Sequence, residues 1–175
     1  KKTDAKSLLN VFDKDSAIEL GASYCEEVKC YLTRIGGISA ACLIFDGKNG
    51  VELTAEIMRK IKDFAEFVCC YNLPYITFVN TLGIKCDITT NNSLVLKEIG
   101  EYVSVLDCID AAKISIVFGK AIGLGYTLFA AKSMGYDYTY AFANAQIALF
   151  DSVQGAEIEY SEEKKADKAV LAKRY

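Results

Sequence analysis

Residues 113–128 read Lys-Ile-Ser-Ile-Val-Phe-Gly-Lys-Ala-Ile-Gly-Leu-Gly-Tyr-Thr-Leu. The β-branched run at 114–118 is typical of a buried strand, and the apolar run at 126–134 is typical of a buried helix. Between the two runs lie Gly119, Gly123 and Gly125. Because glycine lets another group approach the backbone, and because the first N–H groups of a helix have no partner within it, such a turn could hold a phosphate or an oxyanion. On spacing alone, the glycines could equally serve only the close packing of helix on strand.

Segments that favour strands and helices alternate around this stretch. Two apolar segments, Val28–Ile35 and Ile38–Phe45, flank Gly36-Gly37, and a glycine pair between two strands predicts a hairpin. Elsewhere the pattern predicts helices over 54–71, with Thr54 as its cap, 94–110 and 151–160, and strands over 75–79, 138–141 and 146–149.

This order predicts an α/β fold in which a mostly parallel sheet is flanked by helices. In open α/β sheets, ligands bind beyond the carboxyl ends of the strands. The predicted loops at 82–84 and 121–125 fall at those ends. We therefore expect the functional site to lie where these two loops meet.

Length and composition narrow the class of protein. A chain of 175 residues suits one domain, 1–175, in which the charged segment 161–175 is predicted to be a helical tail. A net charge of −3 argues against nucleic acid as a partner, and no apolar run has the 18 or so residues that a membrane span needs. The hydrophobic content of 52% indicates a buried sheet, an apolar oligomer interface, or both.

The chain has no histidine and seven cysteines. Without histidine, Ser-His-Asp and Cys-His catalysis are excluded, and a zinc site would need an unusual ligand set, so no metal is predicted. The cysteines lack a Cys-x-x-Cys pair and are interpreted as buried, reduced thiols of a cytoplasmic protein. Any chemistry must come from backbone N–H groups, carboxylates, lysines, tyrosines or a cofactor.

Four segments of the chain carry a resemblance to a known family. Asn-Leu-Pro-Tyr-Ile-Thr-Phe-Val-Asn at 72–80 and Lys-Ala-Ile-Gly-Leu-Gly-Tyr at 120–126 resemble the carboxyltransferase modules of biotin-dependent acyl-CoA carboxylases and decarboxylases. Segments 145–148 and 155–158 are similar to the Ala-x-Ile-Ala and Gly-Ala-x-x-Ile segments of that family, in the same order. The resemblance implies a crotonase-like fold of repeated ββα units, of which this chain is the C-terminal half of a module.

The resemblance also implies site residues and partners. The backbone N–H groups of Leu124 and Gly125 match the pair that stabilises negative charge on the ureido oxygen of biotin. Gly83, Ile84 and Gly123 fall near bound biotin, and Thr127 falls where the family selects its acyl group. The implied cofactor is biotin on a carrier protein. The implied partners are an acyl-CoA substrate, the biotin carboxyl carrier protein, the N-terminal carboxyltransferase half and further copies of the chain.

The sequence departs from the family pattern at the predicted site. The family has Gly-Gly-Ala where this chain has Gly-Leu-Gly, and Pro-Gly-Phe where it has Leu82-Gly83-Ile84. A non-catalytic scaffold half is therefore an alternative to a catalytic one. A different crotonase-like acyl-CoA enzyme would need positioned carboxylates, and the acidic residues near the predicted loops are few, chiefly Asp87 and Asp151. A substitution such as Gly125→Asp is expected to abolish transfer without unfolding the chain. Lys120 is expected to be a solvated lysine, with contact to a carboxylate or a phosphate as the alternative.

Overall fold

A computed structural model of the chain describes residues 5–84, 92–152 and 155. Its strands are β1 (Ile18–Leu20), β2 (Val28–Ile35), β3 (Ile38–Phe45), β4 (Val51–Leu53), β5 (Tyr75–Ile84), β6 (Lys113–Ile122), β7 (Tyr138–Ala141) and β8 (Gln146–Ala148). Its α-helices are α1 (Ala5–Leu8), α2 (Ala55–Tyr71), α3 (Asn92–Asp107) and α4 (Leu124–Ala130), with single 3-10 turns at Leu9–Val11 and Lys132–Met134.

The strands form one sheet in the order β1-β2-β3-β5-β6-β7. The remaining strands add to its middle, since β4 pairs with β5 and β8 pairs with β6. Among the described strands, only the β1–β2 and β2–β3 pairs are antiparallel, and the pairs made by β4 to β8 are parallel. The predicted α/β fold with a mostly parallel sheet is confirmed.

The predicted hairpin joins β2 to β3. Gly36 and Gly37 have φ angles of +59° and +81°, which only glycine adopts without strain. Their N–H groups donate to the two carboxylate oxygens of Asp13, over 2.9 and 2.7 Å. The carboxylate thus satisfies backbone donors that the turn leaves unpaired, and fixes the turn to the amino-terminal segment.

Helix α2 begins and ends as its sequence predicts. The Thr54 side chain accepts a hydrogen bond from the N–H of Ile57 over 3.4 Å, and Asn72 ends the helix in the left-handed conformation. The helix packs beside α3, and the Arg59 guanidinium donates over 2.8 Å to the buried carboxylate of Glu98. The contact between α2 and α3 therefore combines apolar burial with an ion pair.

The two sheet faces carry separate hydrophobic clusters. On one face, α2, α3 and α4 cover the larger cluster, which includes Leu43, Tyr75 and Phe129. On the other, α1 packs on a smaller cluster that includes Phe78 and Phe118. The helix-covered face supplies most of the buried apolar area, and hence most of the hydrophobic stabilisation.

Several predicted boundaries are wrong. Strands β5 and β6 continue past the predicted ends at 79 and 118. Their pairing resumes at Thr81 and Ala121 after a register shift, and the Lys120 N–H donates to the Asn80 side chain within it. The short strands β1 and β4 were not predicted. Helix α3 is Asn92–Asp107 rather than 94–110, and the predicted helix over 126–134 is α4 followed by a 3-10 turn. Asp87, most of the predicted helix over 151–160 and the tail 161–175 lie outside the described residues.

The cysteines differ in burial more than predicted. Cys30 and Cys42 are buried, and burial raises the pKa of each thiol to about 12. Cys70 and Cys108 are exposed, which contradicts the expectation of buried thiols for these two. The apolar neighbours of Cys70 in sequence belong to the face of α2 that packs inward, whereas Cys70 itself points outward.

Candidate active site

The turn between β6 and α4 is formed by Gly123. Its φ of +53° and ψ of −125° place it in a conformation that side chains disfavour. Its N–H donates to the carbonyl of Ala148 on β8 over 2.9 Å, and its own carbonyl accepts the N–H groups of Tyr126 and Thr127 over 3.1 and 3.4 Å. Gly123 is therefore the N-cap of α4, held on both sides by hydrogen bonds.

This geometry leaves two backbone donors ahead of the first intrahelical hydrogen bond. Leu124 and Gly125 are the first two residues of α4, and no acceptor among the described residues receives their N–H groups. Since α4 has only seven residues, its dipole contributes little. What the turn offers a ligand is a pair of adjacent hydrogen-bond donors.

The end of β5 lies directly against this turn. Gly83 has a φ of +86°, and a Cβ at this position would lie 2.9 Å from the carbonyl oxygen of Ile122 and 3.9 Å from the nitrogen of Gly125. The Gly83 N–H donates to the hydroxyl of Thr81 over 3.1 Å, and that hydroxyl donates to the Val51 carbonyl over 2.7 Å. The structure thus brings the two predicted loops together, and glycine at 83 keeps the space beside Gly125 open.

The predicted residues differ in accessibility. Gly83 and Gly125 are buried, Gly123 and Ile84 are half-buried, and Leu124 and Thr127 are exposed. Leu124 and Thr127 share a face of α4 because they are three positions apart. The exposed side chains of Leu124 and Thr127 therefore lie on α4 next to two buried glycines, Gly83 and Gly125.

The expectation that Gly125→Asp would leave the fold intact stays a prediction, and the packing around Gly125 argues against it. A Cβ at position 125 would lie under 3.0 Å from Cγ2 of Thr81 and 3.4 Å from Cα of Gly83. Real Cβ atoms do not approach another heavy atom that closely, so any side chain here would force β5 and α4 apart. Gly125 is needed for packing as well as for its N–H group.

Lys120 lies on β6, two residues before the strand ends, and the expectation that it is solvated is wrong. Its Nζ lies 2.7 Å from the carboxylate of Asp151, and both side chains are about one quarter exposed. The pair therefore joins β6 to the segment that follows β8. The alternative that Lys120 meets an anion is confirmed, with Asp151 as that anion.

A separate cavity of about 760 Å³ lies near this strand end. It is lined by side chains and backbone of Asp46, Lys48, Asn80, Phe118, Lys120 and Gln146, among others. None of the six predicted site residues lines it. Because the two N–H groups lie outside the cavity, we place the candidate site at the turn rather than in the larger space.

Two buried tyrosines near the turn, Tyr102 and Tyr136, are not acid or base groups at neutral pH. Tyr102 is fully buried, as predicted for a core residue, and burial raises its pKa well above the ordinary value. Burial likewise raises the pKa of Tyr136 to about 12. Their hydroxyl groups lie 3.5 Å apart in the core between α3 and the turn that precedes β7. The backbone N–H groups therefore remain the chemically relevant feature of the turn.

Sequence reasoning missed Asn80 and Thr81 as contributors to this site. Both lie at the end of the run 72–80 or just after it, where a strand end was predicted. Polar residues that continue a buried strand were the available signal, because a buried polar side chain needs a partner. Within the described ranges, no helix has the length and apolarity to cross a bilayer, and no three potential metal ligands cluster.

Comparison with known proteins identifies the family to which the chain is similar. A family model described as the carboxyl transferase domain matches residues 2–174. A putative propionyl-CoA carboxylase beta chain of Bacillus subtilis is 22% identical over 162 residues, covering 92% of this chain and 32% of the relative. The propionyl-CoA carboxylase carboxyltransferase subunit of Haloferax mediterranei is 23% identical, covering 95% of this chain and 33% of that subunit. The chain spans about a third of the length of these relatives.

Solved structures show the same fold. Transcarboxylase 12S, described as a hexamer with methylmalonyl-coenzyme A bound, superposes with a TM-score of 0.85 over 100% of this chain and 35% of its own, at 21% identity. The beta subunit of geranyl-CoA carboxylase from P. aeruginosa gives 0.84 over 99% of this chain and 35% of its own, at 17% identity. The crotonase-like fold implied by the resemblance is thus confirmed. With a family model that covers nearly every residue and a shared fold, the chain belongs to the carboxyl transferase domain family.

Proposed function

We propose that this chain supplies the biotin-side half of a carboxyltransferase active site, which transfers a carboxyl group between carboxybiotin and an acyl-CoA. The observation that carries the proposal is the pair of N–H groups of Leu124 and Gly125, which have no acceptor among the described residues. Two aimed donors are the usual means of stabilising an oxygen on which negative charge develops. No histidine is required for this role, in keeping with a chain that has none.

The donor set fits the ureido group of biotin. Biotin, when bound on its carrier protein, supplies a ureido nitrogen that carries the carboxyl group. The ureido oxygen can accept both N–H groups, since a carbonyl oxygen has two lone pairs. Gly83 lies next to Gly125, since a Cβ at position 83 would be in van der Waals contact with the Gly125 nitrogen, at 3.9 Å. Ile84, Gly123 and Thr127 surround the same turn and are the remaining candidates for contact with biotin or the acyl group.

The partners follow from the size of the chain. The chain spans about a third of its relatives. From its resemblance to the C-terminal half of a module, we assign the acyl-CoA site to an N-terminal carboxyltransferase half. Exposed apolar side chains along β7 and β8, among them Tyr138, Tyr140 and Ile147, suit a subunit interface. The transcarboxylase 12S neighbour is a hexamer, which supports assembly of this chain into a homo-oligomer. The single-domain extent of 1–175 and the cytoplasmic location stay predictions.

The sharpest test removes one N–H group and little else. Leu124 is the first residue of α4, a position that tolerates proline because its N–H makes no intrahelical bond. Leu124→Pro therefore deletes a proposed donor, whereas the matched control Leu124→Ala removes the side chain and keeps the donor. Transfer from carboxybiotin to acetyl-CoA and propionyl-CoA is measured in the assembly that contains this chain.

We expect Leu124→Pro to lower kcat by about 10²- to 10³-fold, the usual effect of losing one oxyanion donor. Leu124→Ala should retain most activity. Equal activity of the two variants would reject the role of the Leu124 N–H. Melting temperatures of both variants, recorded by circular dichroism, establish that the helix still forms.

The scaffold alternative has one observation in its favour. The Leu124 side chain is 37% exposed at a position where the family pattern has glycine, so it stands over the proposed site. Leu124→Gly separates the two functions. A catalytic half should gain activity or keep it when the side chain is removed. A scaffold half should show no transfer in either form while still assembling with its partners.

A further inference from the structure

The side chain of Asn80 fills an irregularity in the middle of the sheet. Along the β5–β6 pair, Val79 is opposite Val117, but Thr81 is opposite Ala121. One residue of β5 therefore faces three residues of β6, and the extra length forms a bulge. Bulges of this kind redirect a strand and often lie beside active sites.

Both polar atoms of Asn80 are used in this bulge. Its Oδ1 accepts the N–H of Lys120 over 2.9 Å, and its Nδ2 donates to the carbonyl of Gly47 in the loop between β3 and β4. The residue is 8% exposed, and both bonds are part-buried beside the cavity that Asn80 and Lys120 line. The carboxamide replaces the ladder partner that the bulge takes away from Lys120, and it also holds a loop from a neighbouring strand.

The Asn80 side chain occupies the space that a side chain at position 119 would need. A Cβ at position 119 would lie under 3.0 Å from both Oδ1 and Cγ of Asn80. Gly119 does not have a positive φ, so its backbone alone would accept alanine. The glycine at 119 is therefore explained by the asparagine at 80, not by a turn.

We propose that Asn80 is a positioning residue that sets where β6 ends, and so where the N–H groups of Leu124 and Gly125 lie relative to Gly83. The proposal rests on the proposed function of those N–H groups. Each residue of a strand advances the chain by about 3.3 Å, so a bulge that moved by one residue would displace the turn by about that distance. A displacement of only about 1 Å is enough to cost a factor of 10² in rate.

The two hydrogen bonds can be separated by substitution. Asn80→Asp keeps an acceptor for the Lys120 N–H but loses the donor to Gly47, whereas Asn80→Ala loses both. The control is Thr33→Ala, which removes a different buried hydroxyl, one that lies 2.9 Å from the hydroxyl of Ser16. Thr33 is on β2, which β3 separates from β5. Backbone amide resonances of residues 47 and 120–125, free-biotin affinity by calorimetry and melting temperatures are measured for each 175-residue variant.

We expect Asn80→Ala to shift the amide resonances of 120–125 and to weaken biotin binding at least tenfold. Asn80→Asp should shift residue 47 more than 120–125. Thr33→Ala should lower the melting temperature without affecting either region. If Asn80→Ala left 120–125 unchanged, or if Thr33→Ala shifted them equally, the positioning role would be overturned.

The outcome for the proposed function is read independently. If the wild-type chain binds no biotin while Asn80→Ala still shifts the turn, the positioning role stands and the biotin assignment fails.

A final variant guards against loss of folding: Gly119→Ala keeps Asn80 but obstructs it, and should shift the same resonances. On an Asn80→Ala background, Gly119→Ala should cause a smaller further change, because the obstructing carboxamide is absent.

Discussion

Gly125 lies against the methyl group of Thr81, so closely that a Cβ at position 125 would come under 3.0 Å from Cγ2 of the threonine. The same threonine uses its hydroxyl to join the backbone of β4 and β5, by donating to Val51 and accepting from Gly83. One side chain therefore fixes the end of β5 and limits the size of the residue that provides a candidate donor.

This contact predicts a rescue between two substitutions. Gly125→Ala alone should lower the free energy of unfolding by about 1–3 kcal/mol, because it overpacks the contact with Thr81. Thr81→Ser removes Cγ2 and keeps the hydroxyl, so the double variant should recover most of that loss. Urea denaturation of the wild type, both single variants and the double variant gives the coupling energy. Simple additivity of the two effects would show that the contact is not the cause.

Gly83 is predicted to be more sensitive than an equally strained glycine elsewhere. Gly83 and Gly37 have φ angles of +86° and +81°, so alanine at either costs about 1–2 kcal/mol of backbone strain. A Cβ at Gly37 would meet nothing within 4 Å, whereas one at Gly83 would lie 2.9 Å from the Ile122 carbonyl. Gly83→Ala should therefore destabilise the chain more than Gly37→Ala, and only Gly83→Ala should weaken biotin binding. Equal losses of unfolding free energy would contradict the steric reason.

Cysteine reactivity should divide by burial. Cys30 and Cys42 are buried and the pKa of each thiol is raised to about 12, so their thiolate fraction at pH 7.5 is negligible. Cys70 and Cys108 are exposed. Brief treatment with iodoacetamide should modify Cys70 and Cys108 and leave the buried pair unmodified, as read by peptide mass spectrometry. In guanidinium chloride, the buried pair should react as well. Modification of Cys42 at the rate of Cys70 under native conditions would show that the sheet opens there.

The free energy of unfolding should fall in alkaline solution. Burial holds the pKa of Tyr136 at about 12, against about 10 in an unfolded chain, so the folded state keeps this proton more tightly. The resulting stabilisation is complete below about pH 10 and is lost as the pH rises from there towards 12. Tyr136→Phe should flatten the decline in this window, measured by urea denaturation between pH 8 and 12. An unchanged slope would show that other groups, such as the buried thiols, dominate.

Local signals predicted the elements that depend on neighbours in sequence. The hairpin at Gly36-Gly37, the cap at Thr54 and the strand Tyr138–Ala141 all follow from residues within one turn or one strand. The glycine turn between β6 and α4 was predicted for the same reason, since Gly123 and Gly125 mark it directly.

The missed features depend on distant partners. Strand β4 is only three residues long and directly follows a glycine-rich loop. It exists because the extended end of β5 offers it a parallel partner. That extension in turn requires Asn80 to bond Gly47 and Lys120, which are 33 and 40 positions away. No local pattern contains those contacts, so the sequence indicated the turn but not the side chain that places it.

The hydrogen bond from the Gly123 N–H to the Ala148 carbonyl joins the candidate site to β8, a strand that comes later in the chain. During synthesis, β6 leaves the ribosome before β8, and domains begin to fold from the amino terminus. A nascent chain arrested between these strands would already contain most of the sheet, yet its turn would lack the anchor at Gly123. Strand β8, which emerges after the other described strands, therefore completes the site, although it adds little to the sheet itself.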